Sequence, residues 1–532
     1  MARRKTSSSK TGSSVIDGAL AALEADDLRE LVRDLIPWLD EHTRARFVNE
    51  AIDRAARSES GWTPATPSDE RVSEIVAFAE AAERTGYADR SEVDDYLLQG
   101  SNSFRGKDYR AAFRIFRALL LPIGDGGVDL GQHEMIDEVL GVDTSDCAAQ
   151  YVVAVYMTAV PARRAEAVRA ALDDVHGVGC FWEPLREMER VAVELLPGFD
   201  EFLSLWRALV EKEAGRERRS DWDTDENQWL REVVQRMEGA EGLARVARST
   251  RRADDLRAWC RMLVEARDWK SALSAYEEAA EIVTERKFSR GDFLDGVALA
   301  AQELARKDLP ARLERAWREA PSMLRLRRWL GSSGSKAVVR NRAGEALEAC
   351  PKKAHRQRAL LHVVLRELEP AAKLLASAPG LGWSDSEHPG HLLFPLFHGL
   401  LGGKDSEVRG PTERFLDREM DLDELEWAMS ERDEPRLVSP EVDEIRKLAG
   451  LARPKSDKTR AAVLKAMRKA AEKRIAGVTK NKRRRYYGHA ASLAAACVAV
   501  APTPETTAWM ANIRDEYRRY PALQRELARH QD

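Results

Sequence analysis

Apolar residues fall at helical spacing along most of this chain and almost never alternate, which leaves it little to fold into except helix packed on helix. The stretch VIDGALAALEADDLRELVRDLIPWLDEHTRARFVNEAI sets the pattern, with Leu28, Leu31, Val32, Leu35 and Ile36 on one stripe. Strand signals are lacking: no run of β-branched residues alternates with polar ones, and no Asn-Gly or Asp-Gly turn joins two such runs. The sequence predicts an all-α protein.

Composition narrows the class. Lys and Arg number 85 against 89 Asp and Glu, a net charge of −4 on 532 residues, and 33% of the chain is charged, as exposed helices require. The five cysteines (147, 180, 260, 350 and 497) contain no CxC or CxxC pair, so free thiols in a reducing cytoplasm are expected rather than a disulfide framework. MARRKTSSSKTGSS is basic and serine-rich with no apolar run of the secretory kind after it, and AASLAAACVAVA (490–501) is too short to span a bilayer. A soluble chain with no membrane partner is the expectation.

Two stretches resemble degenerate tetratricopeptide units. In GSNSFRGKDYRAAFRIF, Gly100 is followed by Ala112 and Phe116; in the second, Leu256, Trp259 and Leu263 lead through EARDW to Ala272, Tyr276 and Ala279. Each reads as two helices joined at a short charged turn, small residues where they cross and aromatics wedging the gap. Looser pairs follow at Phe293–Leu304 with Leu309–Trp317 and at Ala359–Leu368 with Ala371–Ala376, while Pro321 and Pro379 stop their helices. The expected fold is therefore a tetratricopeptide-like helical repeat solenoid. Its expected divisions are a disordered basic tail (1–15), an N-terminal helical repeat region (16–330), a second helical region carrying an acidic segment (331–452), and a basic amphipathic helix with C-terminal helices (453–532).

The chemically richest stretch is LGWSDSEHPGHLLFPLFHGLL (381–401). As a metal site it offers His388 and His391 with Asp385, Glu387 or His398, but the spacing matches no known ligand motif. As a catalytic site it has Ser384 and His388 without a glycine elbow. Pro379-Gly380 and His388-Pro389-Gly390 are turn chemistry, and the apolar run from Leu392 to Leu401 is a buried helix start. The expectation is a structural corner. No phosphate-binding glycine loop occurs either, the acidic pairs Asp223/Asp225 and Asp421/Asp423 read as solvated faces, and tryptophans such as Trp206, Trp259 and Trp317 sit at core positions. No enzyme activity and no cofactor is expected.

Charge is sorted by region. From Asp405 to Glu444 there are fifteen acids and five arginines, a net of −10; from Arg453 to Arg485, fourteen Lys and Arg face Asp457 and Glu472, a net of +12. In the basic segment Ala462, Leu464, Met467, Ala471 and Ile475 can face inward, leaving a cationic stripe that ends in KNKRRRYY. Lys480, Lys482, Arg483, Arg484 and Arg485 could hold a phosphate backbone, with Tyr486 and Tyr487 stacking on bases. The alternative is that the stripe lies against the acidic segment of the same chain or is only solvated.

Taken together, ALEADDLRELVRDLI, the Ala/aromatic helical pairs, LGWSDSEHPG and YYGHAASLAAACVAV…IRDEYRRYPALQREL resemble the α-helical region of bacterial SWIM zinc-finger family proteins. The family's CxC…CxH zinc motif is absent, so no zinc ligand carries over. The resemblance implies a helical repeat scaffold whose zinc module is lost or supplied by another polypeptide. A non-enzymatic adaptor or scaffold for a protein partner is the leading expectation, and a nucleic-acid-binding protein using 455–485 is the alternative.

Overall fold

A computed structural model describes residues 18–58, 61–131, 136–179, 181–216, 223–285, 287–385, 387–402 and 435–529. Among them the protein is all-helical: 25 α-helices, no strand, and one isolated bridge between Tyr87 and Asp129. No helix among the described residues is long and apolar enough to cross a membrane. The basic tail 1–15 and most of the acidic segment 405–444, including Asp421 and Asp423, lie outside the described residues.

The chain divides into two compact units between Asp255 and Leu256, inside the helix Ala253–Glu265. The expected boundary between residues 330 and 331 lies within the second unit, where Leu326, Trp329, Leu330, Val339 and Ala343 belong to one core.

In the first unit Ser68 caps the helix Asp69–Thr85 by accepting from the Arg71 N–H. The pair Arg90–Arg105 and Tyr109–Gly124 crosses closely at Gly100, where a Cβ would sit 2.8 Å from the Phe116 ring. Trp206 is fully buried there and stacks on Phe202. Asp223 departs from expectation: it is paired with Arg231, because the start of the helix Asp225–Thr250 turns it inward.

In the second unit Trp259, Ala272, Ala279 and Trp317 are buried as expected, and the Tyr276 ring occupies the space a side chain at Gly296 would need. Its large core runs on through Phe394, Phe397, Met467, Ile475 and Ala494.

One turn recurs. After Arg105, Glu265, Glu303, Val364 and Lys480, a non-glycine residue takes the left-handed conformation: Lys107 (φ 63), Arg267 (φ 56), Ala305 (φ 50), Arg366 (φ 64) and Lys482 (φ 52). At each, two backbone bonds close the helix end, such as Asp108 N–H to Ser103 O and Lys107 N–H to Phe104 O. Four of the five are cations, which the negative end of the preceding helix favours and which offset part of the cost of that backbone.

Candidate polyanion-binding surface

The surface is built from the helix Asp457–Lys480, the turn at Lys482, and the short 3-10 helix Arg484–Tyr486 leading into Tyr487–Val500. Ser456 caps the long helix at the Thr459 N–H, and an inward face of Val463, Ala466, Met467, Ala470, Ala471, Ile475 and Val478 holds it down. That face is wider than expected and shifted: Ala462 and Leu464 are only half-buried, because the helix packs against both Leu368–Ser377 and Tyr487–Val500.

Several cations of the stripe are consumed structurally. Lys473 donates to Ser377 O (3.1 Å) and Ala378 O (3.0 Å), closing the C-terminus of Leu368–Ser377. Arg474 is buried, donates to Gly380 O (3.3 Å) and lies 5.9 Å from the Trp383 ring centre. Arg468 pairs with Glu505 (2.7 Å).

The turn is different. Lys480, Lys482, Arg483, Arg484 and Arg485 are all exposed, and none forms an ion pair among the described residues. Of the four other turns, three carry an acid at the next position (Asp108, Asp268, Glu367) and one carries Arg306, which pairs with Asp308 (2.9 Å); this one carries Arg483, with φ −86 and ψ 69 close to those of the three acids. Two of those acids, Asp108 and Asp268, cap their helices at Ala111 N–H and Ser271 N–H. Four consecutive cations therefore crowd the positive end of the next helix, an arrangement that disfavours itself until an anion is supplied. The described end of the acidic segment makes its contacts elsewhere: Gln302 to Val438 N–H and Arg436 O, Arg328 to Ser439, and Arg327 to Glu441.

The two tyrosines are placed differently. Tyr487 is 4% exposed and belongs to the core, so it cannot stack on a base. Tyr486 is half-buried, with the guanidinium of Arg485 at 4.7 Å and that of Arg474 at 5.1 Å from its ring centre. It braces the turn.

Behind the turn lies the corner LGWSDSEHPGH. Gly382 takes φ 75, the Asp385 carboxylate accepts from the Glu387 N–H, and His388 accepts from the Gly390 N–H (3.0 Å) while its Nε2 faces Pro379 O (3.0 Å). Trp383, 4% exposed, is ringed by His388 (5.0 Å), His391 (5.7 Å), Phe394 (6.2 Å) and His489 (5.0 Å). Burial, with His489 close by, lowers His391 to about 3, and burial lowers His388 too. No group of three metal-ligating side chains forms among the described residues. Sequence reading found the corner but missed His489, which arrives from the helix Tyr487–Val500 and has no local signal. Removing the ring by Trp383→Ala leaves a cavity at this junction, and a loss of about 3–5 kcal/mol in stability is expected from chemical denaturation.

The chain matches no known protein-family model and no curated protein.

Proposed function

We propose that this protein is a non-enzymatic helical-repeat adaptor that holds an anionic macromolecular partner at the turn Lys480–Arg485. The observation that carries the reading is the set of cations there, exposed, without ion pairs among the described residues, and placed at the positive end of a helix where three of the four other turns put an acid. The recurring turn supports the helical-repeat part, since each instance builds the same kind of link between consecutive helices. Among the described residues Cys147, Cys260, Cys350 and Cys497 are buried free thiols, which suit a reducing, cytoplasmic setting. On this reading the zinc module of the SWIM resemblance is lost or is supplied by another polypeptide.

Changing Lys482, Arg483, Arg484 and Arg485 together to alanine tests it. The variant should elute from immobilised heparin at markedly lower salt than the wild type, and its melting temperature should fall only slightly, because the exposed side chains give up no ion pair and lose only the Arg485 contact with Tyr486 and the charge of Lys482 at the helix end. Unchanged elution, or a substantial fall in melting temperature, would mean that the turn is structural.

A further inference from the structure

The lysines of the long helix that remain exposed are not scattered. Lys458, Lys465, Lys469 and Lys480 are separated by seven, four and eleven positions, which at about 100° per residue brings them within roughly 60° of one another around the helix. All four are exposed and none forms an ion pair among the described residues. They make a straight row about 33 Å long, at about 1.5 Å of rise per residue, that runs directly into the cationic turn. Of the helix's own acids, Glu472 beside the row accepts a hydrogen bond from the Trp509 indole N–H (2.6 Å). Asp457 stands at the helix start, where the macrodipole favours it.

We propose that this row and the turn form one continuous strip for the phosphate backbone of double-stranded nucleic acid, read without regard to base sequence. Three observations select a duplex. The row lies along a single α-helix, and its length is close to the roughly 34 Å of one duplex turn, so a rigid polyanion of that repeat engages it without the ordering entropy a flexible chain would lose. Its cations are lysines, compact point charges suited to phosphates, and Glu472 beside them is engaged by the Trp509 indole. At the turn no ring is free for the stacking that single-strand binders depend on, since Tyr487 is buried and both guanidinium neighbours of Tyr486 lie against its ring, and beside the row Trp509 is half-buried with the Arg468 guanidinium 5.6 Å from its ring centre. The inference rests on the turn being an anion-binding site, and adds the partner's chemistry and the path it takes.

The test measures binding of the full chain to a labelled 30-base-pair DNA duplex, the same-length single strand, and poly-glutamate, by fluorescence anisotropy across a salt series. The duplex should bind more tightly than the single strand and more tightly than poly-glutamate, with no dependence on its sequence. In the Lys458→Ala, Lys465→Ala, Lys469→Ala, Lys480→Ala variant, the slope of log affinity against log salt should fall by about 3 to 4, at about 0.9 for each phosphate no longer neutralised. Alanine is the best helix former and these side chains are exposed, so circular dichroism should report an unchanged fold. If the row variant binds duplex as the wild type does while the turn variant does not, the strip falls and the anion-binding turn stands. If neither variant loses duplex affinity, both fall. Single strand bound as tightly as duplex, or poly-glutamate bound more tightly, would overturn the choice of partner.

Discussion

Gly380→Ala is expected to strip the helices Leu368–Ser377 and Asp457–Lys480 of much of their protection from hydrogen exchange. A Cβ at residue 380 would lie 2.0 Å from the Lys473 carbonyl oxygen and 2.7 Å from its carbon, and Gly477 faces Gly380 in return, with its own Cβ position 3.0 Å from the Gly380 carbonyl carbon. These are backbone atoms inside a helix, so no side chain can swing aside. The bonds from Lys473 to Ser377 and Ala378, and from Arg474 to Gly380, would be broken together. A penalty of at least about 3 kcal/mol is expected. Gly344→Ala is the internal control: its Cβ meets nothing within 4 Å in the helix Lys336–Ala349, so a gain of roughly 0.5–1 kcal/mol is expected instead. Equal losses in both would remove the steric argument.

Acid should loosen the Trp383 corner. In the unfolded chain a histidine takes its proton near 6.5, whereas in the folded protein burial holds His391 to about 3 and lowers His388 as well. The unfolded state thus binds more protons throughout that interval, and stability present above pH 6.5 is lost as the pH falls toward 3. The neighbours reinforce the direction: His489, Arg356 and Arg474 all resist a further positive charge on His391, and Asp385 beside His388 opposes it only in part. Between pH 6.5 and 4.5 the loss attributable to His391 is about 2–3 kcal/mol. Urea unfolding followed by near-ultraviolet circular dichroism should show it, and His391→Asn should flatten the dependence over the same range. A wild type equally stable at both pH values would contradict the buried neutral histidine.

The helices were legible because their apolar spacing is local information, and so was the turn character of LGWSDSEHPGH, whose glycines and prolines act on their own backbone. Trp206, Trp259 and Trp317 were legible as core for the same reason. What sequence could not supply were meetings between distant segments. Nothing near Gly380 indicates that Lys473 and Gly477 will press against it, and nothing near Trp383 announces Arg474 or His489. The tyrosines show the limit most clearly: KNKRRRYY reads as a cationic run with two exposed rings, yet the turn at Lys482 reverses the chain and carries Tyr487 into the core. The shift of the buried face from Ala462 and Leu464 toward Val463, Ala466 and Ala470 has a similar cause, a second helix packing where periodicity anticipated solvent.

The contact between Gly380 and Lys473 also sets a schedule for biosynthesis. Most helix pairs joined by the recurring turn can close within moments of leaving the ribosome, because their partners are neighbours in sequence. The helices Leu368–Ser377 and Gly390–Leu401 cannot: the long basic helix that covers them begins at Asp457. At about 5–20 residues per second, the wait is on the order of several seconds, during which Leu375, Leu393 and Phe397 have no cover from that side. This stretch of the nascent chain is expected to need a chaperone, and a ribosome that pauses between 402 and 457 would lengthen its exposure.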